Sequence, residues 1–89
     1  MTINHNPSAC FCETFIEAKR CVVEYQMDGT TMRITHTFVP YELRGRGVAA
    51  ALITYLLEYA STNSLHVQPL CAYAKGFMER HPQYNTLRV

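Results

Sequence analysis

Hydrophobic and polar residues alternate along the first half of the chain, which is the period of β-strands with one buried face. The alternation predicts three strands, over residues 10–16, 21–27 and 30–39. Asp28-Gly29 separates the second strand from the third and is typical of a two-residue hairpin turn. The first half is therefore predicted to be an antiparallel meander, preceded by a polar tail over residues 1–9 that we expect to be loose.

The third predicted strand carries a histidine within an otherwise apolar row. Strict alternation places Met32, Ile34, His36 and Phe38 on one face of this strand. We therefore expect His36 to lie on the apolar face. Pro40 ends the strand, because it cannot donate to a sheet ladder.

The second half of the chain changes to helical spacing. A helix is predicted over about residues 45–61, followed by a strand over 65–70 and a shorter helix over 72–80. A strand–helix–strand crossover makes the fourth strand parallel to the third. The predicted fold is one α+β domain over residues 1–89, with a mixed, mostly antiparallel sheet in β-β-β-α-β-α order and two helices. The buried stripe of the first helix is predicted to be Val48, Leu52, Leu56 and Tyr59.

Composition narrows the class of protein. Of the 89 residues, 48% are hydrophobic and 17% are charged, which is typical of a folded domain. A net charge of +1 gives no general attraction to nucleic acid, and no apolar run is long enough to span a membrane. The N-terminus lacks the pattern of a signal peptide, so we expect a cytoplasmic protein with free thiols. Cys10-x-Cys12 matches no common zinc module, and we predict no metal site.

The turn between the third strand and the first helix is rich in glycine and arginine. Arg44-Gly45-Arg46-Gly47 leads directly into the alanine-rich start of the helix. Glycines allow close approach to the backbone, and the first turn of a helix presents unpaired N–H groups at the positive end of its dipole. This pattern is typical of a site for a phosphate-bearing ligand such as a nucleotide-containing cofactor. The other interpretation is a tight structural turn with two solvated arginines.

The turn also matches a known signature. Arg44-Gly45-Arg46-Gly47-Val48-Ala49 fits the Arg/Gln-x-x-Gly-x-Gly/Ala signature of the GNAT superfamily of N-acetyltransferases. More narrowly, the chain resembles a family of minimal single-domain GNAT-like proteins. The segments that carry this resemblance, in order, are residues 36–40, 43–47, 69–73 and 80–84.

The resemblance implies a sheet that splays open beside Val39, with the pantetheine arm of acetyl-CoA in the splay. The main chain of Phe38 and Val39 would then hydrogen-bond the pantetheine amides. Backbone N–H groups of the turn would hold the pyrophosphate. The cofactor-binding residues of the turn are expected to be Leu43, Arg44, Gly45, Arg46, Gly47, Val48 and Ala49.

Three residues are candidates for catalysis. Cys71 is either a small buried hydrophobe or, as the resemblance implies, a thiol near the acetyl-CoA sulfur that accepts the acetyl group or donates a proton to the departing thiolate. His36 is either a hydrogen-bonded core residue or the base that deprotonates the amine. Tyr73 either packs on Phe77, four residues along the helix, or acts as a general acid.

Three functions therefore remain open. The first is an acetyltransferase that moves acetyl from acetyl-CoA to a primary amine on a protein lysine, a polyamine or a small metabolite. The second is a domain that binds CoA or acetyl-CoA with little catalysis. The third is a non-catalytic interaction protein whose glycine turn is only structural. The oligomeric state is not readable from the sequence.

Overall fold

A mixed sheet of five strands, with two helices packed on one of its faces, forms the protein in a computed structural model that describes all 89 residues. The strands follow one another across the sheet in chain order, and each pair is antiparallel except β4 with β5, which is parallel as predicted. The strands are β1 Asn4–Asn6, β2 Phe11–Ile16, β3 Lys19–Asp28, β4 Thr31–Phe38 and β5 His66–Pro69.

The helices lie where the spacing predicted them. Helix α1 spans Val48–Thr62 and helix α2 spans Ala72–Arg80, and 3₁₀ turns occupy Tyr41–Leu43 and Pro82–Leu87. Helix α1 begins three residues later than expected because the turn before it keeps a non-helical backbone as far as Gly47. Neither helix combines the length and the apolar character that crossing a membrane requires. The buried face of α1 is Val48, Leu52, Ile53, Leu56, Leu57 and Ala60.

The expectation of a loose tail over residues 1–9 is wrong for its central part. Strand β1 pairs antiparallel with β2 and adds a fourth strand before the first helix, so the order is β-β-β-β-α-β-α. His5 fastens it: the Nε2 of His5 lies 2.7 Å from the hydroxyl oxygen of Tyr25, and its ring stands edge-on to Tyr59 at 4.5 Å between centroids. The polar sequence of the tail shows no apolar alternation, and its order comes from contacts with distant residues, since Ile3 packs against the core and the Thr2 carbonyl accepts from the Oγ1 of Thr14 at 2.7 Å.

A β-bulge interrupts the pairing of β3 with β4. Glu24 lies opposite His36, yet the next residue, Tyr25, lies opposite Ile34, so Thr35 has no partner in the ladder. One extra residue in a strand reverses the inward–outward alternation beyond it. The Oγ1 of Thr35 donates to the carbonyl oxygen of Glu24 at 3.3 Å across the bulge.

Because of the bulge, the prediction that His36 and Phe38 share the apolar face of β4 with Met32 and Ile34 is wrong. Met32 and Ile34, before the bulge, are fully buried in the core as expected. His36 and Phe38, after it, are exposed on the face of the sheet that carries no helix, and Phe38 is 45% exposed. Thr37 faces inward instead, opposite the fully buried Val23.

Candidate functional site

The parallel strands β4 and β5 separate beyond the middle of β4. Their ladder ends at the pair Ile34 and Pro69, and the amides of Leu70 and Cys71 both donate to the carbonyl oxygen of Ile34, at 2.9 and 3.1 Å. Beyond this point β4 continues to Phe38, paired with β3 on one side and with no strand on the side where β5 lay. The far end of β4 therefore offers an unpaired main-chain edge to a neighbouring molecule.

A cavity of about 430 Å³ opens between the splayed strands and the start of α1. Thr37 and Tyr73 form part of its wall, and the glycine-rich turn forms the rest. Two of the nine predicted cofactor-binding residues, Phe38 and Arg46, lie outside the wall. The seven that line it are Val39, Leu43, Arg44, Gly45, Gly47, Val48 and Ala49.

The turn presents a run of unused hydrogen-bond donors. The first helical hydrogen bond runs from the amide of Ala51 to the carbonyl of Gly47, and none of the six amides from Gly45 to Ala50 donates to another protein group. Gly45 and Gly47 have φ values of +82° and +79°, a left-handed backbone that side chains oppose. Free amides at the positive end of a helix form a site for an anion such as phosphate.

The two arginines of the turn differ in what they contact. The Nε of Arg44 donates to the carbonyl oxygen of Val39 at 2.9 Å, and its guanidinium lies 5.8 Å from the ring centroid of Tyr41. Arg46 points away from the cavity and pairs with the carboxylate of Glu17 at 2.8 Å. The hydrogen bond and the charge of Arg46 hold the pKa of Glu17 below its usual value.

Cys71 is the N-cap of α2 and contacts β4 across the splay. Its Sγ accepts a hydrogen bond from the amide of Ala74 at 3.4 Å and lies 3.4 Å from the Oγ1 of Thr37. Thr37, and not Cys71, belongs to the cavity wall. Sequence reasoning missed Thr37 because the bulge at Thr35 carries no glycine or proline that would have marked it.

Of the other two catalytic candidates, Tyr73 lines the cavity and His36 does not. Tyr73 stacks on Phe77, with 6.4 Å between ring centroids, and also lines the cavity. The predicted packing on Phe77 is therefore present, and the general-acid role stays a prediction. His36 lies opposite Glu24 on the open face of the sheet and is not part of the cavity wall. No carboxylate or imidazole lines the cavity.

A model of the GCN5-related N-acetyl-transferase family matches residues 12–87, which is most of the chain. The chain belongs to this family. The resemblance to the GNAT superfamily drawn from the glycine turn is confirmed. The matched residues of this GCN5-related N-acetyltransferase include the whole cavity wall but not strand β1.

The fold of this GCN5-related N-acetyltransferase is also that of a solved structure. The solution NMR structure of a GCN5-like protein from Staphylococcus aureus superposes with a TM-score of 0.80 at 24% sequence identity, over 99% of this chain and 87% of that chain. The predicted GNAT-like α+β fold is therefore confirmed, with one more strand than the sequence indicated.

Proposed function

We propose that the protein binds acetyl-CoA in the cavity beside Gly45 and Gly47 and transfers its acetyl group to a primary amine. The observation that carries the proposal is the run of six free amides from Gly45 to Ala50, beside a cavity that leads to an unpaired strand edge. Four of the six residues, Gly45, Gly47, Val48 and Ala49, line that cavity. Family membership supports acetyl transfer as the reaction class.

The groups present fit the two chemically different parts of acetyl-CoA. The turn amides and the guanidinium of Arg44 match the negative pyrophosphate. The main chain at Phe38 and Val39 has no β5 residue beside it, and such an edge matches the amides of the pantetheine arm. Phe38 would bind the pantetheine arm through its backbone alone, because its side chain faces the opposite side of the sheet.

Transfer requires a proton for the departing thiolate. The amine nitrogen forms a bond to the thioester carbonyl carbon, the carbon–sulfur bond breaks, and the sulfur leaves with the electron pair. Tyr73 on the cavity wall and Cys71 behind it are the candidate proton donors. His36 is not supported as the base for the amine, because it lies on the open face of the sheet.

A second candidate function, binding of acetyl-CoA with little turnover, is favoured by one observation. The cavity wall carries no carboxylate or imidazole to deprotonate an amine. An amine acceptor must then arrive neutral or lose its proton to water, which slows transfer to strongly basic amines at neutral pH.

Two measurements test these proposals. Acetyl-CoA at 100 times its Kd should stabilise the fold by about 2.7 kcal/mol and raise the melting temperature. Release of CoA thiol should then be followed with a lysine peptide, a polyamine and a small primary amine as acceptors. We expect turnover that falls in Tyr73→Phe or Cys71→Ala and is unchanged in His36→Ala.

The possible results separate the two functions. A thermal shift without thiol release for any acceptor would support the binding function and exclude transfer to these acceptors. No thermal shift at saturating acetyl-CoA overturns both.

A further inference from the structure

Thr37 stands between the cavity and the thiol of Cys71. Thr37 lines the cavity, whereas Cys71 does not, and their Oγ1 and Sγ atoms lie 3.4 Å apart. We infer that the Thr37 hydroxyl carries a proton from Cys71 to the sulfur that leaves during acetyl transfer. This inference rests on the proposed function and assigns a catalytic role within it to a residue that the sequence did not indicate.

The hydrogen bonds around Cys71 set a direction for the proton. The amide of Ala74 donates to Sγ, so Sγ is already an acceptor on the side of the helix. The thiol proton is then free to point to the Oγ1 of Thr37, which is the other polar partner of Sγ. The hydroxyl proton of Thr37 is free in turn to point into the cavity.

The β-bulge makes this arrangement possible. Without the extra residue at Thr35, the regular alternation of β4 would turn Thr37 to the open face of the sheet. With it, Thr37 lies on the inward face, opposite the buried Val23 and beside the start of α2. The bulge thus brings a β4 hydroxyl to the N-cap of the helix that follows β5.

The proton balance closes without a further reactant. As the carbon–sulfur bond breaks, the hydroxyl of Thr37 gives its proton to the leaving sulfur and takes the proton of the Cys71 thiol. Cys71 is left as a thiolate that accepts hydrogen bonds from Ala74 and Thr37. The proton lost by the amine nitrogen returns to Cys71 through solvent, so the net products are the amide and CoA thiol.

The same geometry argues against direct attack by Cys71. An acyl group held in the cavity meets the hydroxyl of Thr37 before it meets Sγ, because Thr37 forms the wall. Covalent acetylation of Cys71 would need Thr37 to move aside. Intact mass after incubation with acetyl-CoA should therefore show no acetyl adduct on Cys71, and an adduct that is lost in Cys71→Ala overturns the relay.

The kinetic test compares Thr37→Val, which keeps the shape and removes the hydroxyl, with Thr37→Ser, which keeps the hydroxyl. We expect Thr37→Val to lower kcat by about 100-fold, in the range of general-acid catalysis, and to leave the Kd for acetyl-CoA nearly unchanged. Thr37→Ser should retain kcat within about threefold. Because the two residues act as one unit, Thr37→Val combined with Cys71→Ala should be no slower than Cys71→Ala alone.

A second readout does not depend on turnover. Alkylation by iodoacetamide, resolved by mass spectrometry for each cysteine, reports the thiolate of Cys71, with the partly exposed Cys10 as internal reference. Loss of the Thr37 donor should slow alkylation of Cys71 about fivefold relative to Cys10 in Thr37→Val, and Thr37→Ser should restore it.

The failures can be told apart. The relay is overturned if Thr37→Val leaves kcat unchanged, or if the losses of kcat in Thr37→Val and Cys71→Ala add up in the double variant. In both cases turnover by the wild-type protein would still support the proposed acetyl transfer. Equal alkylation of Cys71 in wild type and Thr37→Val overturns the coupling of the two groups. Wild-type protein that binds acetyl-CoA but releases no thiol overturns the proposed transfer and the relay together.

Discussion

The Nε of Arg44 donates to the carbonyl oxygen of Val39 at 2.9 Å, and this bond ties the glycine-rich turn to the end of β4. The same side chain lies over the ring of Tyr41 and lines the cavity. Only one of its nitrogens is used in that bond, so the terminal nitrogens stay available to phosphate oxygens. Arg44 therefore holds the glycine-rich turn against the end of β4 and also presents a positive charge to the cavity.

Replacement of Arg44 by Met should weaken acetyl-CoA binding. A charge-assisted hydrogen bond to phosphate contributes about 1.5–3 kcal/mol, and the exposure of Arg44 to solvent places its contribution at the low end of that range. We expect the Kd from titration calorimetry to rise about tenfold, and the difference from wild type to shrink at high salt. Arg33→Met, which removes a guanidinium bonded to Gln68 across β4 and β5, is the matched control. Equal affinities of the two variants would show that Arg44 is only structural.

The glycine turn can be tested with two substitutions at glycines that both have a left-handed backbone. Gly47 and Gly29 have φ values of +79° and +60°, and a methyl group at either would meet no atom within 4 Å. Alanine at each should therefore lower the free energy of unfolding by about 1–2 kcal/mol through backbone strain alone. Only Gly47→Ala places a methyl group on the cavity wall and should weaken acetyl-CoA binding. Thermal melts and titrations of both variants check this, and equal loss of affinity would place the ligand elsewhere.

The glycine-rich turn of the candidate site could be predicted from the sequence because local backbone chemistry determines it. The helix α2 was predicted with both ends correct, and Pro82 follows its last residue closely. The turn around Gly45 and Gly47 was visible because glycine adopts a left-handed backbone more readily than any other residue. Motifs that depend on backbone conformation can thus be predicted from a single sequence.

Two features could not be predicted, because non-local contacts decide them. The bulge at Thr35 depends on how β3 and β4 pair, and the residues around it alternate as in a regular strand. Strand β1 depends on the packing of His5 against tyrosines that lie at least 20 residues away. The bulge had the larger consequence, since it exchanged His36 for Thr37 on the inner face.

The ion pair between Glu17 and Arg46 should compete with phosphate. Glu17 holds Arg46 outside the cavity wall, and its negative charge lies near the turn that is proposed to bind the pyrophosphate. Glu17→Gln removes that charge and releases the guanidinium, so acetyl-CoA should bind about twofold to threefold more tightly at low salt. Stability should change little, because both partners are exposed. Glu24→Gln, on the open face of the sheet, is the control, and the same gain in both variants would indicate a general charge effect.

Stability should depend on pH through His5. Burial lowers the pKa of His5 below its ordinary value of 6.5, while burial raises the pKa of Tyr25 to about 12, so the Tyr25 hydroxyl keeps its proton. The unfolded chain then binds a proton more readily than the folded one. The stabilisation is complete above pH 6.5 and is lost as the pH falls from there through the lower folded-state pKa.

Urea unfolding of wild type and His5→Phe tests this dependence. Phenylalanine keeps an aromatic ring against Tyr55 and Tyr59 but cannot titrate. Between about pH 8 and about pH 5 the unfolding free energy of wild type should fall more than that of His5→Phe, since the two proteins differ only at residue 5. Hydrogen exchange should show the loss in the amides that join β1 to β2, because His5 fastens that edge. Parallel pH curves for the two proteins would mean that protonation of His5 does not release the strand.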